Sequence, residues 1–236
     1  MRVGVIQSCY IPWRGFFDFI RSVDLFLLFD DVKYPMGRSW RNRNQVKTRN
    51  GLKWLSVPVP KGSHELLIDE VRISETGKPW REAHANALQE SLDGAPHAED
   101  AHAIWTQAVN AGDTGLSELN ARLIKGICAY LSISTPILPS RQFGAQGAAT
   151  DRLINLVKAV GGSTYVSGPV AKSYLEEWKF RQEGLRLEYK RYDYAPYPQL
   201  WGAFEGAVTV LDLIANTGPD ATNHIASLTP NEIAVG

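Results

Sequence analysis

Hydrophobic positions open the chain as two short runs, residues 3–6 and residues 25–29, separated by a polar and aromatic stretch. An uninterrupted apolar run of four or five residues, bounded by turn residues, marks a strand buried on both faces. Between them, Phe16, Phe17 and Phe19 place an aromatic face on a predicted helix over residues 16–23, with Asp24 available to cap the next element. Strand, loop, helix, strand within about 30 residues is a βαβ opening and predicts a parallel sheet. Ligands of such sheets bind beyond the carboxyl ends of the strands. The loop over residues 7–15 and the Asp30-Asp31 pair both fall at that edge.

Further along, residues 54–59 and 66–73 have strand-like content, and Pro60, Lys61, Gly62 and Ser63 suit a hairpin turn between them. Three amphipathic segments, 78–92, 99–109 and 116–131, predict consecutive helices. Residues 133–138 return to strand. Thr150 suits the N-cap of a helix over 151–160 that stops at Gly161-Gly162. Residues 164–166 predict a strand entering a loop over 167–173 and then a helix through Phe180. Another strand comes at 185–189 and a helix at 208–215. The expected fold is therefore α/β: a Rossmann-like, mainly parallel sheet flanked by helices, with a helical insertion over about 76–131. No repeat or linker divides the chain, so residues 1–218 read as a single α/β domain, and 219–236 as a polar C-terminal tail.

Composition sharpens this picture in two ways. Apolar residues form 44% of the 236 and charged residues 21%, which excludes wholesale disorder; a chain of this length buries about 70% of its unfolded surface. Cys9 and Cys128 form no CxxC pair and no disulfide framework, and no apolar run reaches the roughly 18 residues of a membrane span. A reducing, cytoplasmic setting is expected.

The net charge is zero, 25 Lys+Arg against 25 Asp+Glu. The balance conceals a block: Lys33, Arg38, Arg41, Arg43, Lys47, Arg49 and Lys53 with no acid among them. Seven of the 25 cations lie there, so the remainder carries a net charge of minus seven. Tyr34, Trp40, Asn42, Asn44, Gln45 and Trp54 interleave the block. A solvated loop face accounts for the charge alone; planar donors, amides and aromatics together suit an anion bearing a flat or sugar-like group. A phosphate- or carboxylate-bearing small molecule is the expected partner, with nucleic acid less favoured by the zero total.

Candidate chemistry gathers at the strand ends. Asp30 and Asp31 stand where acid/base carboxylates often stand in α/β enzymes; because successive residues point to opposite faces, one is expected in the site and the other to cap or to pair with an arginine. His84, four residues after Trp80 on a predicted helix, is either a proton acceptor or a packing residue. The loop containing Ser167, Lys172 and Ser173 is a strand-to-helix turn of anion-binding type, although it lacks a second phosphate-loop glycine. Gln7 and Tyr10 lie in the first such loop. The tyrosines near Tyr192, Tyr194 and Tyr197 either offer a platform or pack on the sheet. Cys9 has no dedicated base in the sequence pattern, Cys128 reads as core, and the histidines have no metal-ligand spacing. The sequence leaves the cofactor, any need for a metal and the oligomeric state open.

Gln7, Tyr10, Pro12-Trp13, Gly15 and Phe17, then Asp30-Asp31-Val32, Trp40, Asn42-Arg43-Asn44, Lys47-Thr48 and Trp54-Leu55 together resemble the WbqC-like protein family. Tyr165, Ser167-Gly168, Lys172, Tyr174-Leu175, Tyr197, Gln199 and the Leu211-to-Gly218 segment extend the resemblance. Two departures are Ser8, where the family usually has proline, and an alanine-rich middle that retains Trp80 and His84. The resemblance implies a bacterial protein of surface-polysaccharide (O-antigen, lipopolysaccharide) or natural-product biosynthesis. It further implies a small transferase that moves an acyl, aminoacyl or related group onto an amine-bearing substrate such as a nucleotide-linked amino sugar. Arg38, Arg43 and Lys172 are expected to hold phosphates or carboxylates. Asn42, Asn44, Tyr165 and Gln199 are expected to orient the acceptor, and Asp30, Asp31 or His84 to take the proton. The alternative is a non-catalytic binding protein that presents an anionic carrier- or RNA-linked group to a partner enzyme.

Overall fold

A computed structural model describes residues 1–77 and 79–236. Along the chain, β1 (Arg2–Ile6), α1 (Arg14–Arg21) and β2 (Leu25–Leu28) form the expected opening unit. β3 (Arg43–Thr48), β4 (Gly51–Ser56), α2 (Trp80–Leu92), α3 (Ala98–Val109), α4 (Leu116–Tyr130) and β5 (Ile137–Pro139) make up the middle. α5 (Ala149–Ala159), β6 (Thr164–Ser167), α6 (Glu177–Gln182), β7 (Arg186–Tyr189), α7 (Val210–Thr217) and β8 (Glu232–Val235) complete it. The expected start of the second helix, at Lys78, lies outside the described residues.

The fold is mixed α/β, with a mainly parallel six-stranded sheet of order β5-β2-β1-β6-β7-β8 flanked by helices. β1 runs parallel to β2, with Val3 opposite Leu25, and parallel to β6, with Val3 opposite Tyr165; only β8 is antiparallel, against β7. Alternation along the strands divides the core. Val3, Val5, Leu25, Leu27, Tyr165 and Leu187 pack with α5 and α6 on one face. Phe26, Leu28 and Val166 pack on the other with α1, α7 and the three middle helices. From β1 the chain moves by way of α1 to β2 on one side; from β6 it moves by way of α6 to β7 on the other. With right-handed crossovers this places the connecting helices on opposite faces and makes the β1–β6 junction the point where the strand order reverses. Among the described residues no helix is long and apolar enough to cross a membrane.

Several expectations need correcting. The hairpin lies earlier than predicted, joining β3 to β4, and residues 66–73 contain a 3-10 turn (Ile68–Glu70) in place of a strand. β3 escapes a hydrophobic reading because its buried residues include Asn44, Gln45, Lys47 and Thr48. Thr150 does not cap α5: Ala148 is its N-cap, and the Thr150 hydroxyl accepts the Glu176 N–H at 3.2 Å. Residues 219–236 are not a free tail, because β8 adds an edge strand to the sheet. Asp24 caps nothing by its side chain; its carboxylate accepts the Arg2 N–H at 2.6 Å.

Gly4 shows why β1 and α1 sit so close. A Cβ there would lie 2.4 Å from Phe19 Cε1, whereas one at Gly168 would meet nothing within 4 Å. Gly4→Ala is therefore expected to cost about 1–3 kcal/mol through overpacking, lowering the melting temperature by roughly 2–4 °C for each kcal/mol. Gly168→Ala leaves it nearly unchanged. Thermal denaturation of the two variants decides this, and equal melting temperatures would contradict it.

Candidate functional site

At the β1–β6 junction the two chain segments leave the sheet toward opposite faces and open a cleft of about 730 Å³. Ile6 and Gln7 line it at the end of β1, Asp31 and Val32 after β2, and Ser167 and Gly168 at the end of β6. Ala149 and Arg152 of α5 and Tyr174 close its remaining sides. The cleft thus lies at the sheet edge where α/β proteins bind ligands.

Asp31 and Arg152 form its charged wall. Arg152 Nη2 donates to Asp31 Oδ2, Arg152 Nη1 donates to the Asp31 carbonyl at 3.0 Å, and Ser140 Oγ donates to Asp31 Oδ1 at 2.5 Å. The side chains retain 10% (Asp31) and 21% (Arg152) exposure, so the pair is shielded yet reachable. Asp30 points inward. Its carboxylate accepts the Ser8 N–H at 2.8 Å and the Ser117 hydroxyl, and burial raises its pKa above the usual carboxylate range against the lowering effect of those bonds. The two aspartates, which follow β2, diverge: Asp30 turns to Ser8 and Ser117, while Asp31, the one paired with an arginine, lines the cleft.

Three other predicted residues reach this space. Gln7 Oε1 accepts from Arg41 Nη1 at 3.0 Å. Ser167 Oγ donates to the Tyr165 oxygen at 3.3 Å, and the Tyr165 ring stacks on Phe180 at 5.6 Å between centroids. Burial raises the Tyr165 phenol pKa, keeping it protonated. Gly168 has an ordinary extended backbone, φ −74°, and no neighbour that a side chain would strike. Neither conformation nor packing demands glycine there, and its smallness keeps the cleft open.

The structure separates the remaining candidates from the cleft. His84 is buried; the Tyr10 hydroxyl lies 2.9 Å from its Nδ1 and accepts the Trp105 indole N–H at 2.8 Å. Tyr10 is fully buried, and His84 lines a separate recess together with Trp54 and Trp80. Asn44 donates to the carbonyls of Tyr10 and Ile11, at 3.3 and 2.8 Å, and Asn42 donates to the Val57 carbonyl at 2.8 Å. Lys172 pairs with Glu232 at 2.5 Å, and Ser173 donates to the Val170 carbonyl at 2.9 Å, both outside the cleft. Gln199 donates to Asp212 Oδ1 at 2.7 Å and accepts from Lys47 at 2.8 Å. The Arg43 guanidinium lies over the Trp54 ring, and Arg38 is exposed. The tyrosine cluster packs: Trp13 meets Tyr192 and Tyr194 edge-on, and Arg14 lies over the Tyr194 and Tyr197 rings. Both cysteines are buried; desolvation raises the Cys9 pKa, and that of Cys128 to about 12, away from nucleophilic use. Among the described residues no group of three or more His, Cys, Asp or Glu side chains is arranged to hold a metal ion. Arg152, which no local sequence pattern marks, stands 121 residues from its partner Asp31.

His84 generates a testable pH dependence. Burial lowers its pKa from 6.5 to about 4, against the raising effect of the Ser56 backbone hydrogen bond. Between those values the unfolded chain binds the proton and the folded chain does not, so this contribution is full above pH 6.5 and is lost as pH falls toward 4. His84→Gln removes it. The unfolding free energy of the native protein minus that of the variant should shrink by on the order of 3 kcal/mol between pH 7 and pH 4. Parallel stability profiles in chemical denaturation would contradict this.

The WbqC-like protein family profile matches residues 7–224. The chain is also similar to "Uncharacterized protein Rv1507c" of Mycobacterium tuberculosis (strain ATCC 25618 / H37Rv). The two are 43% identical over 227 residues, which cover 95% of this chain and 97% of that protein. No solved structure matches the chain. A family match that spans both the cleft and the packed segments around it, together with that full-length relative, establishes that the chain belongs to the WbqC-like protein family.

Proposed function

We propose that the protein is a small-molecule transferase that moves an acyl, aminoacyl or related group onto an amine-bearing substrate such as a nucleotide-linked amino sugar, with the β1–β6 cleft as its active site. The observation that carries this reading is the Asp31–Arg152 pair set into the wall of an open cleft at the reversal of strand order. A Rossmann-like arrangement of the sheet and a setting in surface-polysaccharide or natural-product biosynthesis, in the cytoplasm, go with it.

In this mechanism Arg152 supplies the fixed cation for a carboxylate or phosphate of the bound substrate. Gln7 and Ser167 orient the acceptor across the cleft floor. The acceptor nitrogen attacks the acyl carbon, the bond from that carbon to its carrier breaks, and the carrier leaves with the electron pair. Asp31 takes the proton released from the nitrogen and passes it to the departing carrier. General base catalysis of this kind contributes about 10²–10⁴-fold. Asp30, enclosed by Ser8 and Ser117, holds the loop in place and has no access to the reaction.

A thermal-shift panel of nucleotide-linked amino sugars and acyl donors identifies ligands through the mass-action rise in melting temperature. With a pair of substrates so found, Asp31→Asn should lower kcat by about 10²-fold or more with KM little changed. Gly168→Val should abolish turnover and stabilisation by the acyl donors while the unliganded melting temperature stays near that of the native protein. Native kinetics and native ligand stabilisation in both variants would remove the cleft from consideration.

A further inference from the structure

The basic block between Lys33 and Lys53 begins at the cleft and leads away from it. Lys33 lines the cleft, and Arg41 donates to Gln7 in its wall. The residue before Arg41 is Trp40, whose carbonyl accepts the Tyr10 N–H at 3.1 Å and whose ring is turned outward, 46% exposed. Trp40 lies 5.3 Å from Trp54, itself 44% exposed, and the Arg43 guanidinium covers the Trp54 ring at 3.5 Å. Two indoles left half in water beside a line of cations form a surface suited to a planar, anionic partner.

The other cations of the block have internal partners. Lys47 is buried on Gln199 and the Ala203 carbonyl, Lys53 pairs with Glu90, and Lys33 donates to the Glu65 carbonyl. Arg38 is exposed and makes no salt bridge among the described residues. Arg41 Nε is shielded from solvent and has no hydrogen-bond acceptor among the described residues. Arg43 and Arg49 lie over the Trp54 and Trp201 rings, which leaves Arg38 and Arg41, on either side of Trp40, as the arginines of the block with neither an acid nor a ring as partner among the described residues.

The geometry points to a nucleoside diphosphate site outside the cleft, with the base stacked on Trp40, the two phosphates facing Arg38 and Arg41, and the group on the terminal phosphate directed past Gln7 into the cleft. This rests on the transferase reading and assigns the carrier end of its nucleotide-linked substrate to a separate subsite. Arginine forks suit phosphate oxygens, and base–aromatic stacking is worth about 1–3 kcal/mol per base without regard to sequence. A polynucleotide is the less favourable occupant, because the rest of the chain carries a net charge of minus seven and repels an extended polyanion.

Isothermal titration of the whole protein with UDP, ADP, pyrophosphate and a single-stranded RNA oligomer tests the assignment. Both nucleoside diphosphates should bind more tightly than pyrophosphate. Trp40→Ala should weaken them by about tenfold without changing pyrophosphate binding, Trp40→Phe should recover most of the loss, and Arg38→Ala should weaken all three. Equal affinity for pyrophosphate and the nucleotides, unchanged binding in Trp40→Ala, or tighter binding of the RNA oligomer than of either nucleotide would overturn it. Gly168→Val separates this inference from the reading beneath it. The variant should still bind UDP while losing turnover; native turnover with UDP still bound condemns the cleft and leaves the nucleotide site standing.

Discussion

The path of the chain after Ile6 is the constraint on which the carboxyl edge depends, and it is fixed by buried hydrogen bonds. Ile11 holds a positive φ of 36°, a conformation unfavourable for a β-branched residue. The Asn44 side chain binds the carbonyls of Tyr10 and Ile11, and Asp30 binds the Ser8 N–H from below. Tyr10 is anchored further by His84 and Trp105. These partners come from the end of β2, from β3 and from two of the middle helices, so the loop is over-determined and its strain is sustained by the surroundings. Held there, the loop sends α1 to one face while β6 sends its own connection to the other, and the cleft is the space left between them.

The same division of labour explains why so many of the polar residues expected in the site hydrogen-bond within the fold. Parallel strands buried on both faces leave the loops at their ends to satisfy their own backbone groups. Asn42, Asn44, Asp30 and Gln199 do this work with partners that are themselves buried or half-buried. Asp31 and Arg152 face open space, as do the small residues Gly168 and Ala149 and the free edge of Gln7. Polar chemistry that is shared with the solvent-facing cleft is thus confined to a few side chains, and the basic block extends that chemistry outward along one lip.

Some of this could be read directly from residues. β1 and β2 announce themselves as apolar runs followed by Gln7 and by Asp30-Asp31, and position at a strand end marks the aspartate pair without choosing between its members. β3 could not be read in that way, since its buried Asn44, Gln45 and Lys47 are satisfied by partners as far away as Gln199 and the Ala207 carbonyl. β8 is four residues long at a sheet edge, with too little pattern to distinguish it from a tail. His84 and Trp80 share a helix face, but spacing does not tell whether that face meets a ligand or the core. Arg152 lines the cleft through tertiary pairing alone, so no local motif could have identified it.

Amide hydrogen exchange, with and without the ligand that most stabilises the native protein in the thermal panel, tests the placement of the site most directly. Protection is predicted at residues 6–8, 31–33, 147–152 and 167–168, where the strand ends and α5 meet, with less at the Trp40 lip. Protection confined to the groove between α3 and α4, lined by Ile104, Gln107, Arg122 and Lys125, with the β1–β6 edge unchanged, would contradict the central claim.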